Sequence, residues 1–210
     1  MYRCNSRAIT LTRVLAVAIL FSATQLAWSR TDKNPDGLPN FAHVTDVLYR
    51  GAQPTSLGFS NLHKMGVAII VNFRDEPDEI AAEKHEVESL GMKYVGIPWS
   101  ASNNPSDAQV VQFLDLVRAN PQTKVFVHCR RGADRTGTMI AAFRIAVEHK
   151  TVTEAVAEMH QFHYNRFFRP HLQRYVTSFP QSLQTNKLYG AYAIPAARTI
   201  GDVVTTNSSK

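Results

Sequence analysis

The chain has 210 residues with 23 basic and 17 acidic side chains, which give it a formal net charge of +6. Three of the basic residues and none of the acidic ones lie in residues 1–29, so the remaining chain carries only +3 and its charge does not indicate nucleic-acid binding. That remainder, about 180 residues, is enough for one domain with a hydrophobic core and hardly enough for two.

The first 29 residues have the pattern of a secretory signal peptide. Arg3, Arg7 and Arg13 flank or precede an apolar run that begins at Val14, and small residues around Ser29 suit a signal peptidase. We therefore expect residues 1–29 to be removed and the protein to be periplasmic or secreted, with no stable membrane insertion after cleavage. An uncleaved N-terminal anchor is the alternative, because the apolar run is of borderline length for a membrane span.

The segment that follows is expected to be a leader without fixed structure, at residues 30–43, because it is rich in Pro, Asp, Asn and Gly. Short apolar runs then predict four β-strands, at residues 47–49, 67–73, 93–97 and 125–127. The run at 67–73 is almost continuously apolar and β-branched, which predicts a strand buried on both faces.

Helices are predicted between and after these strands. Two of them begin at capping boxes, formed by Ser106 with Gln109 and by Thr151 with Glu154. The predicted helices span residues 56–65, 76–90, 106–119, 136–149, 151–162 and 170–182. This order predicts a single α/β domain over residues 44–184, with a mostly parallel central sheet flanked by helices and a site at the carboxyl end of a strand. Residues 185–210 are predicted to be a poorly ordered tail, since small and polar residues dominate them.

A candidate phosphate site directly follows the last predicted strand, in the segment His-Cys-Arg-Arg-Gly-Ala-Asp-Arg-Thr-Gly at residues 128–137. Backbone N–H groups after Cys129 can converge on an anion, Gly132 permits a left-handed turn, and a helix beginning near Thr136 points its positive end inward. This field favours the thiolate form of Cys129, and Arg135 can grip two phosphate oxygens at once. After signal cleavage Cys129 would be the only cysteine, so it cannot form an internal disulfide and its presence is better explained by reactivity.

The pattern His-Cys-x-x-Gly-x-x-Arg-Thr-Gly resembles the signature of the dual-specificity branch of the protein tyrosine phosphatases. The resemblance implies that family's fold over roughly residues 44–180, attack of Cys129 on phosphorus to form a phosphocysteine, and no metal or cofactor. It also implies that Thr136 donates its hydroxyl to the Cys129 sulfur, although helix N-capping is its alternative role. The residues expected to surround the phosphate are His128, Arg130, Arg131, Gly132 and Ala133, with the His128 imidazole bonded to nearby backbone.

The proton donor for the leaving group is not where the resemblance places it. In most of the family an aspartate lies in the loop before the helix at 106–119, but the corresponding position near Ser102 has no carboxylate. Asp107 and Asp134 are the candidates, and a substrate with a good leaving group that needs little acid catalysis is the third possibility. A bound phosphate dianion would favour the protonated form of Asp134, whereas an ion pair with Arg131 or Arg135 is its structural alternative.

Other residues are expected near this site. Arg130 and Arg131 either suit a substrate with more than one phosphate or form a solvated basic edge. Asp75 follows the strand at 67–73 and either lines the pocket or caps the next helix. The aromatic residues Trp99, Phe167 and Phe168 are expected to pack rather than to flank a substrate.

These features favour an exported cysteine-dependent phosphatase similar to the bacterial periplasmic dual-specificity phosphatases. Its expected partner is a phosphorylated protein, carrying phosphotyrosine, phosphoserine or phosphothreonine, or a small phosphoester. An inositol-phosphate or phosphoinositide phosphatase is one alternative, and a weakly active phosphate-binding pseudophosphatase is the other. The sequence does not indicate an oligomeric state.

Overall fold

The computed structural model describes residues 34–193. The predicted signal peptide and the last part of the predicted tail, residues 194–210, lie outside these residues. Within the described part of the chain, five strands form one sheet in the order β1-β2-β5-β3-β4. The strands are β1 (Ala42–His43), β2 (Leu48–Gly51), β3 (Val67–Asn72), β4 (Lys93–Gly96) and β5 (Lys124–His128).

The sheet is parallel except at its β1 edge, where β1 runs antiparallel to β2. β5 lies between β2 and β3, with His128 opposite both Gly51 and Asn72. The carboxyl ends of these three strands therefore meet at one edge, where the loops that follow them can share a site. The predicted α/β fold with a mostly parallel central sheet is confirmed.

Six α-helices and one short 3₁₀ helix are described in residues 34–193. They are α1 (Ser56–Lys64), α2 (Pro77–Ser89), α3 (Asp107–Ala119), α4 (Asp134–Ala146), α5 (Val152–Gln161), α6 (Pro170–Thr185) and the 3₁₀ helix Lys187–Tyr189. Both predicted capping boxes are present, at Ser106 and at Thr151. Every residue of α4 is buried, so the helix that leaves the phosphate loop is the central helix of the domain.

Each face of the sheet has its own hydrophobic core, because successive residues of a strand point to opposite faces. Val125 and Val127 of β5 pack in the larger core with α4, and Phe126 packs in the smaller core with Phe59 and Val87. No helix within residues 34–193 is long and apolar enough to cross a membrane.

The predicted leader is corrected by the structure from residue 34 onward. Leu38 is 1% exposed in the smaller core, and Ala42–His43 pairs with β2 as strand β1. Gly37 makes this possible, since its φ of +78° and its close approach to Gly58 leave no room for a side chain. The domain therefore begins before residue 44.

The predicted tail is also corrected for its first residues. Helix α6 continues to Thr185, and the two tyrosines beyond it, Tyr189 and Tyr192, are 0% and 6% exposed. The Tyr189 ring meets the Phe179 ring edge-on at 5.3 Å, which anchors this segment on α6. Aromatic burial thus orders a stretch whose average composition indicated disorder.

Candidate active site

The phosphate loop leaves β5 at His128 and enters α4 at Asp134. Gly132 has a φ of +67°, and a Cβ at this position would lie 2.4 Å from the carbonyl carbon and oxygen of Gly51. Only glycine can therefore hold the loop this close to β2. Cys129 is 3% exposed at the base of the loop.

A cavity of about 660 Å³ lies over this loop. Its walls come from the loops after β3, β4 and β5 and from the residue that precedes α6. The lining residues are Asp75, Glu76, Ser100, Ala101, Ser102, Cys129, Arg130, Arg131, Asp134, Arg135 and Arg169. The structure thus brings the predicted nucleophile and the predicted arginine to one cavity.

Hydrogen bonds from a single nitrogen, Nη1, hold the guanidinium group of Arg135 in place. Its Nη1 donates to the carbonyls of Phe73 at 3.3 Å and Trp99 at 3.2 Å, and to Asp75 Oδ1 at 2.5 Å. Among residues 34–193, Nε and Nη2 of Arg135 have no hydrogen-bond acceptor, although Nη2 lies 3.9 Å from Glu76 Oε1. This pair of donors suits two oxygens of a phosphate. Asp75 therefore lines the pocket and orients Arg135 rather than capping α2.

Asp134 lies in the cavity wall with both of its oxygens occupied. Oδ2 accepts from Arg131 Nη2 at 2.6 Å, and Oδ1 accepts from the backbone N–H of Asn165 at 2.9 Å. It is also the first residue of α4, where the helix dipole favours a negative charge. These contacts are the predicted structural alternative, the ion pair with Arg131, and they engage both oxygens of the carboxylate.

Asp107 lies outside the cavity, which corrects its prediction as a proton donor. Its Oδ1 accepts from the Tyr189 hydroxyl and its Oδ2 accepts from Asn186 Nδ2, both at 2.7 Å. Burial and the hydrogen bond to Asp107 raise the pKa of Tyr189, so its hydroxyl remains a donor. Asp107 is thus a tether for the chain segment after α6.

The two other loop predictions also differ from the structure. The Thr136 hydroxyl is buried and has no partner among the described residues, so it bonds neither the Cys129 sulfur nor the start of α4. The His128 imidazole does not bond backbone; its Nε2 lies 2.8 Å from Oε1 of Glu83, a buried carboxylate on α2. A side-chain acceptor on a neighbouring helix takes the place of the expected backbone group.

Glu83 joins His128 to the loops around the site, and the sequence did not single it out. Its Oε2 accepts from Gln53 Nε2 at 2.7 Å and from Asn72 Nδ2 at 3.0 Å, while Gln53 Oε1 accepts from Arg74 at 2.7 Å. Glu83 is 5% exposed although it lies among other acidic residues on α2. Helical periodicity alone does not distinguish it from its exposed neighbours.

Arg50 is a second residue that sequence reasoning missed. It is 0% exposed on β2; Nη2 donates to the Gly132 carbonyl at 3.0 Å, and Nη1 donates to Glu158 at 3.4 Å. The guanidinium also lies 3.8 Å from the centre of the Phe162 ring. Burial lowers the pKa of Arg50 to about 10, against the opposing attraction of Glu158 and Cys129, so it is a cation at neutral pH. The one sequence feature that could have indicated this buried arginine is its position between Tyr49 and Gly51 in a short strand.

The rim of the cavity is basic. Arg130 is exposed, Arg131 pairs with Asp134, and Arg169 donates from Nη1 to Ser102 Oγ at 3.2 Å. Arg169 was not predicted, because it lies 34 positions after Arg135 in a separate loop. Phe167 and Phe168 beside it are each 79% exposed, so the expectation that they pack is wrong, whereas Trp99 is packed at 5%.

Comparison with known proteins gives consistent matches. Residues 33–175, more than half of the chain, match the family model described as "DSP-PTPase phosphatase fused to NAD+ Kinase". Human dual specificity protein phosphatase 13B is 28% identical over 143 residues, which cover 65% of this chain and 70% of that protein. Dual specificity protein phosphatase TpbA of Pseudomonas aeruginosa is 29% identical over 121 residues, which cover 57% of this chain and about half, 53%, of that protein.

Solved structures share the fold. TpbA of P. aeruginosa in complex with pTyr superposes with a TM-score of 0.62 at 23% identity, covering 77% of this chain and 94% of that one. The core catalytic domain of the PP-IP phosphatase SIW14 of Saccharomyces cerevisiae superposes with a TM-score of 0.59 at 24% identity, covering 68% and 86%.

Proposed function

We propose that this chain, which belongs to the DSP-PTPase phosphatase family and is a phosphatase, hydrolyses phosphate monoesters through a phosphocysteine formed on Cys129. The observation that carries this proposal is the geometry of the cavity. Cys129 lines it together with Arg135, whose Nε and Nη2 make no hydrogen bond within residues 34–193. A nucleophile and a bidentate anion clamp in one pocket are what phosphoryl transfer to a thiolate requires.

In the first step the phosphate dianion lies on the loop N–H groups and the free edge of Arg135. The Cys129 thiolate attacks phosphorus, the S–P bond forms, and the bond to the leaving oxygen breaks. In the second step water attacks phosphorus, the S–P bond breaks, and inorganic phosphate leaves.

The carboxylates of the cavity favour a substrate with a good leaving group. Asp75 pairs with Arg135, Glu76 pairs with Arg74, and Asp134 pairs with Arg131, so each of these carboxylates already has a cationic partner at the cavity. A general acid must instead carry a proton at the start of the step. Phosphotyrosine, whose phenolic oxygen leaves more readily than an alkoxide, is therefore the substrate class that we propose; TpbA, a relative, has been crystallised with pTyr.

A small molecule with several phosphates is the second candidate substrate. Among the described residues Arg130 and Arg169 line the cavity without a carboxylate partner, and both remain available for a second anionic group. The structural relative SIW14 is a PP-IP phosphatase, and a phosphoanhydride also has a leaving group that needs little protonation. A weakly active phosphate-binding protein is the third possibility.

We also propose that the protein is exported, on the pattern of residues 1–29. Cell fractionation with N-terminal sequencing of the recovered protein tests this. We expect a chain that begins near residue 30 outside the cytoplasm, and a full-length cytoplasmic chain would contradict export.

A substrate panel tests the enzymatic proposal. The purified chain is assayed for phosphate release from p-nitrophenyl phosphate, a phosphotyrosine peptide, a phosphoserine peptide and an inositol polyphosphate. We expect turnover of both aryl phosphates, loss of turnover in Cys129→Ser, and a radiolabelled phosphoenzyme that is trapped by acid in the parent only. No phosphate release from any aryl phosphate would refute the proposal, and preference for the inositol polyphosphate would favour the second candidate.

The role of Asp134 is tested with the variant Asp134→Asn, with Asp107→Asn as the matched control outside the cavity. If Asp134 donates the proton, Asp134→Asn loses far more turnover of an alkyl phosphate than of p-nitrophenyl phosphate, and the basic limb of its pH profile disappears. We expect equal, modest losses on both substrates, because Asp134 orders Arg131 and the loop at Asn165.

A further inference from the structure

The loop between α5 and α6 presents two adjacent phenylalanines to solvent. Phe167 and Phe168 are each 79% exposed, compared with 53% for Leu57 and 56% for Leu188, the next most exposed large apolar residues in the described part of the chain. Two neighbouring aromatic side chains this exposed form a protruding apolar tip. Contiguous exposed apolar surface on a soluble domain usually marks a binding surface.

This loop is held in place by hydrogen bonds at its base. The backbone N–H of Phe168 donates to Asn165 Oδ1 at 3.2 Å, and the N–H of Arg169 donates to the Asn165 carbonyl at 2.9 Å. The N–H of Asn165 in turn donates to Asp134 in the phosphate loop at 2.9 Å. The two rings are therefore directed outward by a loop that is fixed to the active site.

The surface around the two rings is basic. No aspartate or glutamate occurs between Glu158 and Asp202, a stretch that includes Arg166, Arg169 and Arg174. The Arg166 guanidinium lies 4.9 Å from the centre of the Phe167 ring, and Arg166 and Arg174 both line a cavity of about 410 Å³. Within residues 34–193 neither Arg166 nor Arg174 has a carboxylate partner.

We propose that Arg166, Phe167, Phe168 and Arg174, together called the docking tip, bind the surface of an anionic lipid membrane. Phenylalanines that protrude can enter the boundary between headgroups and acyl chains, while arginines beside them meet lipid phosphates. Each basic residue near an anionic membrane adds to the attraction, and no acidic residue on this segment opposes it.

A phosphopeptide is less well matched to this surface. Recognition of an apolar peptide side chain requires a concave apolar groove, whereas the phenylalanines protrude. The residues described as lining the neighbouring cavity, among them Gln173, Thr177 and Ser178, include no large apolar side chain that would form a deep apolar pocket. Because Arg169, the residue directly after Phe168, lines the catalytic cavity, docking would place the mouth of that cavity close to the membrane surface.

Vesicle binding by the full chain tests the proposal. Sedimentation is measured with vesicles of phosphatidylglycerol and phosphatidylcholine, and with phosphatidylcholine alone, at low and high salt. Two double variants are compared with the parent: Phe167→Ala with Phe168→Ala, and Arg166→Gln with Arg174→Gln. We expect each to weaken binding to the anionic vesicles by about tenfold, and the matched control Leu57→Ala on α1 to bind as the parent does.

A reporter at the tip separates its insertion from any binding by the apolar N-terminal run. The emission of Phe167→Trp, after subtraction of the parent's own tryptophan signal, should shift to the blue with anionic vesicles and not with neutral ones. Turnover of p-nitrophenyl phosphate should be the same in all these variants, which shows that they are folded and that this test is independent of the catalytic proposal. An unshifted emission, or equal vesicle binding by parent and variants, overturns the proposal. A raised KM for a phosphotyrosine peptide with unchanged vesicle binding would also overturn it and identify the tip as a peptide site.

Discussion

Replacement of Arg50 by methionine should destabilise the phosphate loop, because it removes a side chain that holds the backbone of the loop. Arg50 is fully buried, and its Nη2 is bonded to the carbonyl of Gly132, the residue on which the turn of the loop depends. Burial lowers the pKa of Arg50, and the attraction of Cys129 is among the smaller effects that oppose this, so Arg50 and Cys129 are electrostatically coupled. Arg50→Met therefore removes both a hydrogen bond that supports the loop and a positive charge that is coupled to the nucleophile.

The size of the effect follows from these contacts. Leaving a buried carbonyl without its charged donor costs about 1.5–3 kcal/mol. Removing one partner of a buried ion pair costs about 3–5 kcal/mol, but Glu158 keeps a second partner, Arg144 Nε, at 2.7 Å. We therefore expect the free energy of unfolding to decrease by about 3 kcal/mol, the lower end of that range. This corresponds to a decrease in Tm of about 6–12 °C. Displacement of the loop should lower kcat/KM by about 10²-fold.

Two assays and two controls separate support of the site from general stability. The rate of alkylation of Cys129 by iodoacetamide at pH 6 reports the thiolate, measured in a Cys4→Ser background, and p-nitrophenyl phosphate reports turnover. Arg50→Lys keeps the charge and should retain most of the alkylation rate. Arg144→Met removes the other cation from Glu158 without contact to the loop, so it should lower Tm but leave alkylation and kcat/KM close to the parent values. If Arg50→Met alkylates and turns over like Arg144→Met, Arg50 is only a structural residue and this reasoning is refuted.

Three further substitutions have definite expected outcomes. Gly132→Ala places a Cβ 2.4 Å from the Gly51 carbonyl and should lose about 10²-fold or more in kcat/KM, while Gly91→Ala, with a similar φ of +78° and no atom within 4 Å, should keep full turnover. Asp107→Ala leaves Tyr189 without its acceptor and should lower stability by about 2 kcal/mol in thermal melts, with unchanged aryl phosphatase activity. For Glu76, burial raises the pKa, but the hydrogen bond and charge of Arg74 outweigh it and the net pKa is lowered. Glu76 therefore stabilises the fold above its unfolded pKa, and this contribution is lost as the pH falls through the folded pKa. Urea titrations should show Glu76→Gln less stable than the parent at pH 7, with a difference that shrinks as the pH is lowered; a difference that is independent of pH would contradict this.

The sheet could be predicted from the sequence because each parallel strand is a short apolar run between turn residues. The runs at 67–73 and 125–127 became β3 and β5, the two central strands. The ends of the domain could not be predicted in this way. Leu38 is a single apolar residue in a Pro- and Gly-rich stretch. Its burial accompanies the tertiary contact of Gly37 with Gly58, and the sequence pattern does not reveal that contact.

The same distinction applies to the site. The residues of the loop are contiguous, so Cys129, Gly132 and Arg135 could be assigned from spacing alone. Their partners come from distant segments: Arg50 lies 82 positions before Gly132, and Glu83 lies 45 positions before His128. Each is a charged residue that becomes buried only when β2 or α2 packs beside β5, and burial of this kind leaves no periodic pattern in the sequence.

Pairing of charges around the cavity connects the missing proton donor to the choice of substrate. Asp75 orients Arg135, and Asp134 accepts hydrogen bonds from Arg131 and Asn165. The carboxylates that could act as the proton donor are therefore already engaged in holding the anion site. An active site built in this way binds phosphate strongly and assists the leaving group weakly. Its rate should therefore depend steeply on the leaving group: across a series of aryl phosphates, log kcat/KM should fall as the phenol becomes more basic. A rate that is independent of the phenol, in a burst-free reaction, would show that a proton donor acts after all and would return Asp134 to that role.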